Sequence, residues 1–261
     1  MPEAFGLVAA PGPVIGWRGR LAFGPLGPHS PSRSTCPAAV DRDHPARVLP
    51  RPMRENQLME HLSTERLMAG LDLIRAAPPD GGRLVLIVRR PSVDEREVLA
   101  EAVLSRETGL AGDNWLARGS SRTPDGSADP HKQITVMNAR VAELVAGGTD
   151  RMALCGDQLY LDLDLSVDNL PAGSLLAVGQ AVLRVSEAPH TGCAKFVERF
   201  GGEAMRFVNG RIGRQLRMRG INASVVVPGP VRLGDLAVKA PLPPEGGDLV
   251  VVSRGVGDQS L

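Results

Sequence analysis

Lysine, aromatic side chains and paired cysteines are all scarce in this chain, and each scarcity removes a class of function. Only Lys132, Lys195 and Lys239 are lysine, so 27 of the 30 basic residues are arginine. Against 29 acidic residues they leave a formal net charge of +1, too weak a field to steer the protein to nucleic acid or an anionic membrane. The arginine bias by itself reads as the mark of a GC-rich genome. Aromatics amount to 3% of the 261 residues and are not interleaved with basic side chains, which argues against a base-stacking platform. Cys36, Cys155 and Cys193 are odd in number and fall in no paired spacing. That excludes a C-x-x-C zinc pattern, argues against a disulfide framework and suits a reducing compartment. The longest apolar runs, such as Leu84 to Val88, are far short of the roughly 18 residues a membrane helix needs. No P-loop, G-x-S-x-G elbow or H-E-x-x-H helix is present. The chain therefore reads as a soluble, cytoplasmic protein, with no nucleic-acid or membrane partner, whose function rests on a local site.

What is present is a globular composition, 43% hydrophobic and 23% charged, with a core of Leu, Val, Ile, Ala and Met. Residues 1–52 hold ten of the 22 prolines and keep no helix or strand period; they are expected to be disordered. Translation beginning at Met53 or Met59 is a further expectation. Between Asn56 and Ile74, Leu58, Leu62, Leu67, Leu71 and Ile74 recur at mostly helical spacing and predict one amphipathic helix. Arg83 to Val88 is a β-branched-rich run that predicts a buried strand. Ser92 to Glu95 has capping-box order and predicts a helix carrying Val98, Leu99, Ala102 and Val103.

Gly109 to Trp115 reads as a loop, Gly119 to Pro130 as an exposed polar stretch, and Gln133 to Met137 as a strand followed by a short helix capped by Asn138. From Cys155 onward the pattern changes to short strands separated by glycine turns: Leu159 to Leu165, Ser174 to Val178, Ala181 to Val185, Ser224 to Val227 and Val231 to Leu236. Such spacing suggests an antiparallel, barrel-like sheet, and the alternation in Leu159 to Leu165 suggests one wet face. The expected fold class is α+β, mainly β, with helices packed on a barrel. It divides into a helix-strand-helix part at 53–108, the barrel domain at 109–238 and a loose tail at 239–261.

Cys193 follows a strand and precedes a helical pattern. A thiol at a helix N-terminus has its thiolate favoured by the dipole and free N–H groups, and His190 and Lys195 could add positive charge. The same residue also reads as a small buried hydrophobe. Cys155, on the apolar run Met152 to Cys155, reads as core. Arg211, Arg214, Arg217 and Arg219 form a basic cluster that suits phosphate or oxyanion binding, and equally suits an exposed basic face. Asn222, between that cluster and the next strand, reads as a ligand contact or as a turn residue.

Several segments in order carry a resemblance: Gly112-Asp113, the strand His131 to Val136, Gly156-Asp157-Gln158-Leu159, the strand pair Gly173 to Val185, Pro189 to Cys193, and Gly229 to Asp235. Together they resemble the MOSC domain, named for the C-terminal part of molybdenum cofactor sulfurases, over roughly residues 109 to 238. The resemblance implies a barrel-containing fold with a pocket whose cysteine, here Cys193, carries a persulfide or ligates the molybdenum of the pterin cofactor. A pterin phosphate would want cationic donors, so cofactor contacts are expected from His190, Lys195, His131, Lys132, Arg217 and Arg219, and for His131 and Lys132 a solvated strand start is the other reading. Two places depart from the family pattern. Gly156-Asp157-Gln158-Leu159 stands for Gly-Glu-Asn-Leu, and His190-Thr191-Gly192 separates Pro189 from the cysteine.

Two activities are consistent with the resemblance: sulfur transfer through a Cys193 persulfide, or reduction of N-hydroxylated compounds at a Cys193-ligated molybdenum. Partners would be a small-molecule substrate or the cofactor, with an electron donor or a molybdoenzyme beside it. No segment can supply the pyridoxal phosphate domain of full-length sulfurases. A non-catalytic cofactor carrier or interaction module, with a buried structural cysteine, is the alternative.

Overall fold

The computed structural model describes residues His61–Pro241. The expectations for residues 1–52, for a start at Met53 or Met59, and for the chain after Pro241 lie outside the described residues.

Two short helices, α1 (Thr64–Ala69) and α2 (Leu71–Arg75), occupy the segment expected as one helix. Ser63 caps α1 through its hydroxyl. Gly70 joins the two, and Leu144 packs so close to it that a Cβ there would clash. Strand β1 (Gly82–Arg89) follows as expected.

The predicted helix after Ser92 is instead a turn and two strands, β2 (Glu97–Leu99) and β3 (Glu101–Ser105). Ser92 to Glu95 closes a turn, and Asp94 adopts a left-handed backbone with φ 66°. The period-two reading wins because partners exist for it: β2 pairs with β1, and β3 pairs with the later strand β10 (Gly229–Arg232). Ala102 and Leu104 are buried while Val103 is exposed, as alternation along a pleat requires. The segment 53–108 is therefore a helix pair and strands within its described part.

β4 (Gly109–Leu110) completes a small sheet with β3 and β10. After α3 (Trp115–Arg118) and the polar loop come β5 (Ile134–Asn138), α4 (Ala139–Ala146) and β6 (Leu159–Asp162). The Asn138 side chain accepts from the N–H groups of Arg140 and Val141, as expected of an N-cap. The remaining elements are β7 (Leu175–Val178), β8 (Ala181–Pro189), α5 (Ala194–Asn209), α6 (Arg211–Gln215), β9 (Ile221–Val227) and β11 (Leu236–Ala240).

Seven strands close a barrel in the order β1-β11-β7-β8-β9-β5-β6, with β2 paired to the outside of β1. All barrel pairings are antiparallel except β5–β6, which α4 crosses over to make parallel. β11 carries Lys239 and Ala240 in register with Leu176 and Leu175, so the expected tail at 239 begins as a strand. β1 is itself a barrel strand, so the barrel reaches N-terminally beyond the expected boundary at Gly109.

The barrel interior is filled by alternate residues of its strands, among them Leu84, Ile134, Val136, Leu159, Leu161, Leu183, Ile221 and Ala223. A second apolar cluster lies beneath the helices, where Leu67, Val141, Phe196, Phe200 and Val208 meet Met137 and Tyr160. The wet face expected of β6 is thus covered: Leu159 and Leu161 point into the barrel, and Tyr160 is equally buried on the opposite side. Burying Leu, Ile and Phe side chains at about 1.5–3 kcal/mol each makes these two clusters the main stabilising term.

Candidate functional site

A cavity of about 510 Å³ opens at the end of the barrel where β1 and β8 finish and β6 and β9 begin. That places on its walls the residues just past β1, the turn before β6, the segment Pro189–Cys193 after β8, and Arg219 ahead of β9. Cys193 is the N-cap residue of α5; its carbonyl accepts from the N–H groups of Phe196 and Val197, and its side chain is exposed. Gly192 N–H donates to Asn209 Oδ1 at 3.3 Å, tying the cysteine segment to the far end of α5. A Cβ at Gly192 would run into Met205.

The floor is a buried ionic network. Arg90 binds Asp113 through Nε and Nη2 at 2.8 and 2.9 Å, and its Nη1 donates to the Gly156 carbonyl. Arg219 binds Asp157 through Nη1 at 2.6 Å and donates from Nη2 to the Cys155 carbonyl, with its guanidinium 5.2 Å from the centre of the Phe196 ring. Burial works to lower the Arg219 pKa, and the Asp157 carboxylate more than offsets it; burial also pushes the Asp157 carboxyl up, with Arg219 opposing. Such a pair is costly to break, because either partner alone would be an uncompensated buried charge.

His190 lies with Nδ1 3.3 Å from Asp157 Oδ1. The contact does not meet hydrogen-bond geometry, and both atoms are buried without another partner. Burial, followed by the nearby Arg219 and Arg90, holds the imidazole pKa well below its usual value. His190 is therefore neutral at pH 7 and adds no charge to the thiol. The two departures from the MOSC pattern, at Asp157 and at His190, are thus neighbours in space.

Above the floor the walls are cationic. Lys195 and Arg199 of α5 share the single carboxylate Asp94, at 2.6 and 3.0 Å. Lys132 pairs with Asp129 at 3.0 Å. Arg96, Arg118 and Arg122 also line the cavity and make no ion pair among the described residues. Burial lowers the pKa values of Arg96 and Arg118, and neighbouring guanidinium groups add to the effect, Arg199 and Arg90 on Arg96 and Arg90 on Arg118. Arginine stays charged through such shifts, so this is an arrangement in which bound negative charge would relieve crowded positive charge.

Of the residues singled out in the sequence, Cys193, His190, Lys195, Lys132 and Arg219 border this cavity, as does Asn222. His131 and Arg217 do not. His131 sits exposed in the 3-10 turn Pro130–Lys132, and Arg217 lines a smaller neighbouring cavity of about 240 Å³ and donates to the Leu170 carbonyl. Sequence reasoning missed Arg90, Arg96, Arg118, Arg122 and Arg199. The one local signal was for Arg90, which immediately precedes Pro91 at the end of a predicted strand.

No model of a known protein family matches the chain, and no curated protein matches it. Solved structures do show similarity. The YuaD protein of Bacillus subtilis aligns with 62% of this chain and 97% of its own at 15% identity and a TM-score of 0.47. YiiM of Escherichia coli covers 61% and 70% at 19% identity and 0.40, and YiiM of Geobacillus stearothermophilus 61% and 75% at 16% identity and 0.42. At these scores the likeness carries no functional argument. Among the described residues no helix is long and apolar enough to cross a membrane, and no group of three or more His, Cys, Asp or Glu side chains is arranged to hold a metal ion.

Proposed function

We propose that this chain is a MOSC-type protein that uses Cys193 either to carry sulfur or to hold the molybdenum of the pterin cofactor. The observation that carries the reading is an exposed thiol at the N-cap of α5 on the wall of a cavity of about 510 Å³ whose lining is strongly cationic. The volume lies within the range of small-molecule sites, and the donor set suits an anionic ligand. A soft thiolate suits both sulfane sulfur and a high-valent metal.

The residues fit the cofactor in charge and chemistry. Cys193 would meet the metal, and Lys132, Lys195, Arg96 and Arg118 would hold the anionic end. When bound, that group would supply a redox centre for reducing N-hydroxylated compounds, with electrons delivered by a partner protein. The chain's own contribution is to bind and orient. Arg90 and Arg219, fixed by Asp113 and Asp157, form a rigid floor, while Asp94 holds Lys195 and Arg199 at the rim. In sulfur transfer the same thiol would be the nucleophile. The alternative, a non-catalytic cofactor carrier or interaction module, would be favoured by a buried and inert Cys193; the exposure of that residue supports the first reading.

Metal and sulfane-sulfur content of protein purified from a host that makes the cofactor tests the reading. Molybdenum near one per chain supports cofactor binding, and sulfane sulfur without metal supports sulfur carriage. Neither signal, or an undiminished signal in Cys193→Ser, overturns the assignment.

A further inference from the structure

The sulfur-carrying branch of that reading leaves the donor open, and the walls of the cavity discriminate among donors. Three guanidinium groups, on Arg96, Arg118 and Arg122, line the same cavity as the Cys193 thiol without an anionic partner among the described residues. Two of the cavity's guanidiniums keep a buried Nε with no hydrogen-bond partner: Arg96, and Arg219, whose side chain is only 7% exposed. Those two Nε atoms are sealed from solvent, so what meets a ligand is the arginine lining itself, and guanidinium forks match a group with several acceptor oxygens better than any other side chain does.

We propose that Cys193 takes its sulfur from a small sulfane-bearing oxyanion of the thiosulfate and thiosulfonate class. The proposal rests on Cys193 being a sulfur carrier. In the donor, the oxidised sulfur carries the oxygens and binds the arginines, leaving the outer sulfur for the thiol. Cys193 Sγ attacks that outer sulfur, a new S–S bond forms, and the donor's own S–S bond breaks with its electron pair leaving on sulfite. Thiol plus thiosulfate becomes persulfide plus sulfite, with the thiol proton passing to the persulfide. Atoms, charge and electrons balance, so no outside oxidant or reductant is needed. Cationic walls favour the step twice, by concentrating the dianion and by stabilising the sulfite that departs. A neutral hydropersulfide would gain neither advantage.

The full chain is incubated with thiosulfate, and in parallel with the hydropersulfide of a neutral thiol. The readouts are sulfite release and the gain of one sulfur atom on the Cys193 peptide by mass spectrometry. Expected is one sulfite per chain, sulfur on Cys193 alone, and a rate that falls as salt is raised. Arg118→Gln and Arg96→Gln should each slow loading from thiosulfate about tenfold more, at least, than they slow loading from the neutral donor. Neither arginine makes an ion pair among the described residues, so both variants should fold. If the neutral donor loads Cys193 and thiosulfate does not, or if both donors slow equally in the arginine variants, the inference is overturned and the sulfur-carrier reading stands. If neither donor loads Cys193, both fall.

Discussion

Cys155 and Cys193 border the same cavity, yet their surroundings differ in almost every physical respect. Cys155 ends the 3-10 turn Thr149–Cys155 after α4 and is 3% exposed, packed with Val141, Met152 and Phe196 in the cluster beneath the helices. Burial, reinforced by the Asp157 charge, pushes its thiol up to about 12. Its carbonyl, rather than its sulfur, is what the neighbouring Arg219 uses. Cys193 is exposed at a helix start, and its own backbone carbonyl supplies the first bonds of α5. One cysteine is a packing residue whose backbone helps fix the floor; the other presents sulfur to whatever enters. A cavity can thus border two thiols and leave only one of them accessible.

The comparison can be broken most severely at the ion pair beside Cys155. Asp157→Ala leaves the Arg219 guanidinium buried without its carboxylate, and about 3–5 kcal/mol of stability should be lost, read from denaturant unfolding. A loss under about 1 kcal/mol would show that the floor is not held as described. Alkylation of the native protein at neutral pH sharpens the contrast directly, with Cys193 expected to react about a hundredfold faster than Cys155 or more. Comparable rates would remove the distinction. Cys155→Ser puts an unpaired hydroxyl in an apolar cluster and should cost about 1–3 kcal/mol, whereas Cys193→Ser, at an exposed cap position, should stay within about 0.5 kcal/mol of wild type.

The smallest effect is a pH dependence. The folded pKa of His190 lies well below its ordinary 6.5, so as pH falls below about 6.5 the unfolded chain takes up a proton that the folded chain refuses. Stability contributed by neutral His190 is therefore full above that value and is lost as pH descends toward the folded pKa. His190→Gln should flatten the decline in unfolding free energy between pH 7.5 and 5.5, and an unchanged slope would show that the imidazole is not held neutral.

Most strands were legible because short β-branched runs between glycine turns have few other fates: Arg83 to Val88 became β1, Gln133 to Met137 became β5, and Ala181 to Val185 lies within β8. Asn138 announced its helix through a side chain that can replace a missing backbone partner. Ser92 to Val103 misled because its apolar positions fit either period, and the partner strands β1 and the distant β10 decide between them. The thiol and its flanking residues were legible for the same local reason as the helix start. The arginines were not: among 27, nothing near Arg96, Arg118, Arg122 or Arg199 in sequence says that they converge. That information resides in the barrel's closure, as does the placement of His131 and Arg217 away from the cavity.

That closure also has a consequence in the order of synthesis. β11 pairs with β7 on one side and with β1 on the other, through Gly82 with Ala237 and Arg83 with Leu236. A nascent chain that has emerged only as far as β10 therefore holds a sheet with two bare edges, the condition in which strands pair with the wrong partner. Contacts separated by some 150 residues in sequence are also slow to find. The cavity is assembled from residues between Arg90 and Asn222, but its permanence waits on a strand translated after all of them.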